Sequence, residues 1–208
     1  MWADVKDETF PHIRLIYDGR FPHKVAQILP GDYYVSKTPM VAYTVLGSCI
    51  SACILDPVTK IGGMNHFMLP SPKGDGRHDS WGESARYGNY AMEMLINEIM
   101  KRGGQKDRLE VKIFGGAKLY ESSNNVGLNN IKFALNFIKT EGLNLLKHDT
   151  GDLYPRKIYY FTETGRVLMK KITRMRNSTV LEREKEYEMQ LQKKKDEAAA
   201  AVDDVTLF

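Results

Sequence analysis

Residues 44–70 read TVLGSCISACILDPVTKIGGMNHFMLP, and the fold turns on how this stretch is divided. Residues 49–55 (CISACIL) are apolar and β-branched enough for a largely buried strand. Asp56-Pro57-Val58-Thr59-Lys60 then reads as a turn, with proline presetting its φ. Residues 61–68 (IGGMNHFM) return as the partner strand, and Pro70 stops it. If the turn centres near Pro57 and Val58, cross-strand partners have numbers summing to about 115 or 116. Cys49 and His66 are then expected directly opposite each other, with Cβ atoms ~4.5–5.5 Å apart. A bulge at Gly62-Gly63 would shift this by one residue.

Working outward, Gly31 opens a short strand over residues 33–36, and residues 40–45 form another. Residues 71–83 are a loop rich in Gly, Pro, Ser and Asp. Residues 84–102 have helical periodicity, with Tyr87, Ala91, Met94, Leu95 and Ile99 on one face and Gly103-Gly104 as the stop. Alternation predicts a strand over 109–113, followed by Gly115-Gly116-Ala117. Leu128, Ile131, Leu135 and Ile138 mark a second helix, closed by Gly142. Strands follow near 143–148, 157–162 and 166–172, the last two joined by the hairpin signal Thr162-Glu163-Thr164-Gly165. Residues 1–29 are expected to be an irregular extension, with Pro11 and Pro22 each unwelcome in a helix or central strand. The domain is expected over 30–175, followed by a charged helix and tail over 176–208. In that helix Val180, Tyr187 and Leu191 make only a thin apolar stripe, so it is expected to be exposed, and residues 205–208 (VTLF) read as an overhang or a docking peptide.

The 208 residues are 42% hydrophobic and 27% charged, which is globular composition and excludes wholesale disorder. Two cysteines exclude a disulfide scaffold and a four-cysteine zinc site. The acidic start MWADVKDETF has no signal-peptide core, and no run approaches ~18 apolar residues, so a soluble cytoplasmic chain is expected, with no direct membrane insertion. Residues 166–195 hold ten Lys/Arg against four Glu, and residues 196–208 hold four acids and no base. The basic run reads as a solvated helix face rather than a nucleic-acid surface, because no recognition motif or aromatic series accompanies it.

The chemistry lies in the same 27-residue stretch. A thiol becomes a good nucleophile as a thiolate, so Cys49 needs a base, and His66 is the one within hairpin reach. Gly47 lets the backbone approach a substrate closely, and amides around Ser48 and Cys49 could hold an oxyanion. The Thr44 hydroxyl could orient the imidazole. Spacing alone leaves a second reading open, in which Cys49 is a small core residue and His66 a satisfied structural histidine. Cys53 reads as core, and at four residues' separation on a strand, ~13 Å, it cannot bridge to Cys49. His12, His23, His78 and His148 form no metal-ligand pattern, and Gly115-Gly116 lacks a phosphate-loop frame.

These residues carry a resemblance. Leu46-Gly47-Ser48-Cys49, Asp56-Pro57 and Gly62-Gly63-Met64-Asn65-His66-Phe67-Met68-Leu69-Pro70 resemble the signature of the chemoreceptor glutamine deamidase family, CheD. Pro30-Gly31-Asp32-Tyr33-Tyr34-Val35, Arg86-Tyr87-Gly88-Asn89-Tyr90-Ala91-Met92 and Lys112-Ile113-Phe114-Gly115-Gly116-Ala117 extend the likeness, in order, from about residue 30 to 172. The resemblance implies an α+β fold of β-sheet layers flanked by helices, like the deamidating-toxin cysteine hydrolases. It implies a catalytic set of Cys49, His66 and Thr44, and hydrolysis of glutamine side-chain amides to glutamates, with release of ammonia, on the cytoplasmic helical bundle of methyl-accepting chemotaxis receptors. It implies no cofactor and no metal. The alternative it leaves is a regulatory module docking on a CheC-type response-regulator phosphatase.

Overall fold

In the computed structural model the chain is described over residues 5–6, 9–70, 80–119, 125–173 and 179–203. The anticipated 71–83 loop lies mostly outside these residues, as does the tail beyond 203. Eleven strands and three helices follow in order: β1 Val5–Lys6, β2 Arg14–Ile16, β3 Val25–Gln27, β4 Tyr33–Ser36, β5 Val41–Leu46, β6 Ile50–Asp56, β7 Ile61–Asn65, α1 Ser80–Lys101, β8 Glu110–Gly115, α2 Val126–Thr140, β9 Asn144–Thr150, β10 Arg156–Phe161, β11 Val167–Lys171 and α3 Thr179–Asp203. The strands form two mixed sheets, ordered β1-β2-β3-β5-β10-β11 and β4-β7-β6-β8-β9. The architecture is α+β, as the resemblance implied.

Two adjacent glycines show how the layers stack. Successive residues of a strand face opposite sides of the sheet. A Cβ on Gly62 would collide with the Thr162 carbonyl, just past β10, and lie 2.7 Å from the Tyr160 hydroxyl. One on Gly63 would lie 2.7 Å from Leu95 of α1. The second sheet is therefore packed between the first sheet and α1, and β7 is thin on both faces. Tyr160 donates its buried hydroxyl to the Ile54 carbonyl at 2.8 Å, tying the two sheets where they meet. The core runs through both interfaces, with Val41, Leu46, Ile50, Ile54, Met64, Met92, Leu95, Ile113 and Ile158 all buried.

Four expectations are corrected. The β6–β7 register pairs Asp56 with Ile61 and Cys53 with Met64, without a bulge, so partner numbers sum to 117. The loop is four residues long, Lys60 taking a left-handed φ of 57°, and its centre falls between Val58 and Thr59. Cys49 is consequently not directly opposite His66. Residues 1–29 are not irregular throughout: β1, β2 and β3 join the first sheet, and Ile13, Leu15, Val25, Ala26 and Ile28 are core. Strands of two or three residues between prolines are too short for a period to show. In α2 the buried face is Gly127, Asn130, Ala134, Phe137 and Ile138, while Leu128 is exposed. The helix is rotated because Gly127 lies directly on the Gly116 and Ala117 carbonyls. Finally, α3 is solvent-exposed along much of its length, but Glu184 and Leu191 are buried and Tyr187 packs against the core.

Candidate active site

The three anticipated residues come from the seam between the sheets. Thr44 is on β5, Cys49 lies in the crossing from β5 to β6, and His66 follows β7. The His66 backbone is pinned on one side by His66 N–H to the Asp32 carbonyl (2.9 Å) and Gly31 N–H to the His66 carbonyl (2.8 Å). On the other side Ile50 and Phe67 exchange two 2.9 Å hydrogen bonds. Cys49 and His66 flank this bridge. Extending the register puts His66 opposite Ser51 and diagonal to Cys49 on the same face, a diagonal of roughly 7–8 Å between Cα atoms.

Thr44 and His66 meet. The Thr44 hydroxyl lies 2.7 Å from the Ile28 carbonyl and 2.8 Å from His66 Nδ1. A hydroxyl has one proton, and a carbonyl can only accept. Thr44 therefore donates to Ile28 and accepts from Nδ1–H, which leaves Nε2 as the unprotonated nitrogen. His66 Nε2 is the one buried side-chain nitrogen or oxygen among the described residues without a hydrogen-bond partner. Burial pulls the His66 pKa down to about 3, against the weaker effect of the Ile28 backbone, so the imidazole is neutral.

Cys49 is fully buried. Its thiol pKa is pushed well above the ordinary value, first by burial, then by the charge and hydrogen bond of Glu184. Cys53 is buried too and is pushed up to about 12 by burial, partly offset by Ser51 and Lys112. In this state burial disfavours the thiolate at both cysteines.

The turn before Cys49 is a nest of amides aimed at one carboxylate. Gly47 N–H donates to Glu184 Oε1 at 2.8 Å, Ser48 N–H to Oε2 at 2.9 Å and Cys49 N–H to Oε1 at 3.3 Å. The Ser48 hydroxyl adds a 2.7 Å bond to Oε2. Consecutive amides converging in this way form an anion cradle. Gly47 makes room for the carboxylate: a Cβ there would lie 2.5 Å from Leu119 and 2.7 Å from Glu184 Oε1, and those side chains would have to shift. The nest is braced from below. Ala117 N–H donates to the Gly47 carbonyl at 2.7 Å and Gly116 N–H to the Cys49 carbonyl at 2.8 Å. Gly115, at φ 112°, leaves no room for a Cβ against that same carbonyl. The Gly115-Gly116-Ala117 turn thus holds the Cys49 loop. Asn130 of α2, fully buried, donates to the Ser48 carbonyl and accepts from Leu69 N–H, both at 2.8 Å.

Glu184 and Asn130 are the parts of the site that sequence reading missed. Asn130 had a faint signal as a polar residue inside an apolar helical stretch. Glu184, one of several glutamates on a polar helix, had none. The cavity beside His66, about 40 Å³, is lined by Ile28, Thr44 and Val45 and, from α3, by Arg183 and Glu184.

Two mixed sheets flanked by helices, with a thiol, an imidazole, a hydroxyl and an amide nest at their seam, define an α+β protein with a cysteine-centred site. Comparison with known proteins sets the family. Residues 68–171 match the family model described as CheD chemotactic sensory transduction. The chain is 46% identical over 194 residues to the "Probable chemoreceptor glutamine deamidase CheD" of Janthinobacterium sp. (strain Marseille), covering 92% of this chain and 93% of that relative. It is 49% identical over 177 residues to the "Probable chemoreceptor glutamine deamidase CheD 1" of Dechloromonas aromatica (strain RCB), covering 84% and 87%. The CheD relative of Hahella chejuensis (strain KCTC 2396) is 49% identical over 169 residues, covering 81% and 79%. The chain belongs to the CheD family.

Proposed function

We propose that this chain is a chemotaxis deamidase that hydrolyses glutamine side-chain amides of methyl-accepting receptors to glutamates. The observation that carries the reading is the pair of Thr44 bonds, which spend the one hydroxyl proton on Ile28 and so leave His66 Nε2 as the free base. Once substrate is in place, Nε2 takes the Cys49 proton and the thiolate attacks the carboxamide carbon. The amide nest of the Gly47–Cys49 turn holds the oxygen that gains charge. The imidazolium, steadied by Thr44, returns its proton to the leaving nitrogen, and ammonia departs. A water deprotonated at the same Nε2 then cleaves the thioester, and the thiol is restored. No step calls for a metal or an organic cofactor. The substrate glutamine lies on the receptor's cytoplasmic helical bundle, so the enzyme works in the cytoplasm on a protein surface.

The test is mass spectrometry of receptor cytoplasmic fragments incubated with the purified protein. The parent converts glutamines to glutamates and Cys49→Ala does not. Conversion at the parent rate by Cys49→Ala would make the catalytic reading wrong.

A further inference from the structure

A carboxylate seated on the amide nest beside a nucleophilic cysteine needs an explanation, because the nest is where a reacting carbonyl oxygen belongs. Glu184 is held there by three backbone N–H groups and the Ser48 hydroxyl, and it is buried. It comes from α3, a helix whose inward contacts fall on one narrow face. Tyr187, three residues on, meets the Tyr87 hydroxyl of α1 at 2.5 Å and lies over Gly31, where a Cβ would be 2.9 Å from its hydroxyl. Leu191, seven residues on, is buried in the core. Positions i, i+3 and i+7 share one helical face. Glu182 and Arg183, just before Glu184, and Lys185 and Glu186, just after it, are exposed.

We propose that the groove under α3 is the docking site for a substrate helix and that α3 fills it in the free enzyme as a product-like occupant. This rests on the deamidase reading above. Deamidation turns a helix-borne glutamine into a helix-borne glutamate, and α3 presents a glutamate to the nest. The occupant also specifies the ligand: a helix with glutamine at the Glu184 position, a large side chain three residues on for the slot between Gly31 and Tyr87, and an aliphatic one at the seventh for the Leu191 pocket. Substrate must displace α3 to reach Cys49. The carboxylate suits the nest better than an amide does. An amide keeps its oxygen on the Gly47 and Cys49 N–H groups but sets its NH2 against the Ser48 N–H, a donor facing a donor. The charge of Glu184 also opposes thiolate formation at Cys49, so the occupant closes the groove and quiets the nucleophile together.

The experiment compares the parent with Glu184→Ala and with the near-isosteric Glu184→Gln, both as full chains. Alkylation of Cys49 is followed by peptide mass, and conversion of receptor-fragment glutamines is followed in parallel. Loss of a charge-assisted hydrogen bond that holds the groove shut is expected to speed Cys49 alkylation by about tenfold or more in Glu184→Ala. Receptor conversion is expected to rise with it. In Glu184→Gln the new glutamine becomes a substrate in its own chain. The Cys49 thiolate attacks its Cδ, the C–N bond breaks, ammonia leaves, and water hydrolyses the thioester to Glu184. The mass gain at position 184 appears over time and vanishes when Cys49→Ala is added. Faster alkylation with no conversion of receptor glutamines or of position 184 would uphold α3 as the occupant and overturn the deamidase reading. Alkylation and receptor conversion unchanged from the parent in both variants would overturn the occupant and leave the deamidase reading standing.

Discussion

Thr44→Val is the substitution that most directly tests the polarity assigned to the imidazole. Valine matches threonine in shape, and Thr44 is buried, so the change removes hydrogen bonding and little else. Two groups lose their partner: the Ile28 carbonyl at 2.7 Å and the His66 Nδ1–H at 2.8 Å. Leaving buried polar groups unsatisfied costs about 1–3 kcal/mol each. Nothing then fixes the proton at Nδ1, and Nε2 offers it no acceptor, so the imidazole and the Ile28 carbonyl both stay short of a partner. A net loss of about 2 kcal/mol follows, which lowers the Tm of a chain this size by about 4–8 °C. The catalytic cost is separate. With the tautomer and ring orientation no longer held, glutamine conversion is expected to fall ~10²-fold, the lower end of what general acid–base assistance supplies. Thr44→Ser keeps the hydroxyl and is expected to retain most activity and the parent tautomer. Nitrogen-15 shifts of the His66 ring read the tautomer, melting curves the stability, and mass spectrometry the conversion. A Thr44→Val protein still protonated at Nδ1 and fully active would refute the reasoning.

Further outcomes follow from the same geometry. His66→Ala is expected to lower conversion ~10²–10⁴-fold, and adding it to Cys49→Ala should cost hardly more than Cys49→Ala alone, since the pair acts as one unit; additive losses would separate their roles. Burial alone would raise the Asp56 pKa, but bonds from Arg108 and from the Gln105, Thr59 and Val58 amides outweigh it and hold the carboxyl well below the usual range. A depressed carboxylate stabilises the fold above its unfolded value of 3.8 and loses that contribution as pH falls below it, so Asp56→Asn should flatten the acid limb of the Tm–pH curve; an unchanged limb would count against this. Asn130→Ala frees the Ser48 carbonyl and the Leu69 N–H together and is expected to cost about 2–4 kcal/mol by denaturant titration. A loss within about 0.5 kcal/mol would show that the brace is dispensable.

What could be read from the sequence depended on whether a residue's role was written in a period or in a partner. The 44–70 hairpin was legible because an apolar run, an Asp-Pro turn and a Gly-Gly return lie within one local unit. Its register was not, because placing the loop centre near Pro57 rather than after Val58 shifts every partner, and the left-handed Lys60 that fixes it has no strong residue signature. Two residues of error preserve the face, which is why Cys49 and His66 still share one. The contribution of residues 14–27 was hidden by strand length. Asn130 and Glu184 were hidden for a different reason. Each is a polar residue buried by partners more than 60 residues away in sequence, at Leu69 and Ser48, and no local pattern encodes such a meeting.

The two bare faces of β7 have a mechanical consequence. Thr44 belongs to one sheet and His66 directly follows a strand of the other, so their 2.8 Å bond spans the seam between the two sheets. Gly62 lies four residues from His66, ~13 Å along the strand, at a point where the opposing layer almost touches the backbone. The strand therefore behaves as a lever with its fulcrum at Gly62. A methyl group inserted there prises the sheets apart and is multiplied at the far end into a lost alignment of the imidazole, although nothing in the site has been altered. Selection on such a position would track the spacing of two sheets rather than any chemistry of glycine, and Gly62→Ala should lose activity out of proportion to its loss of stability.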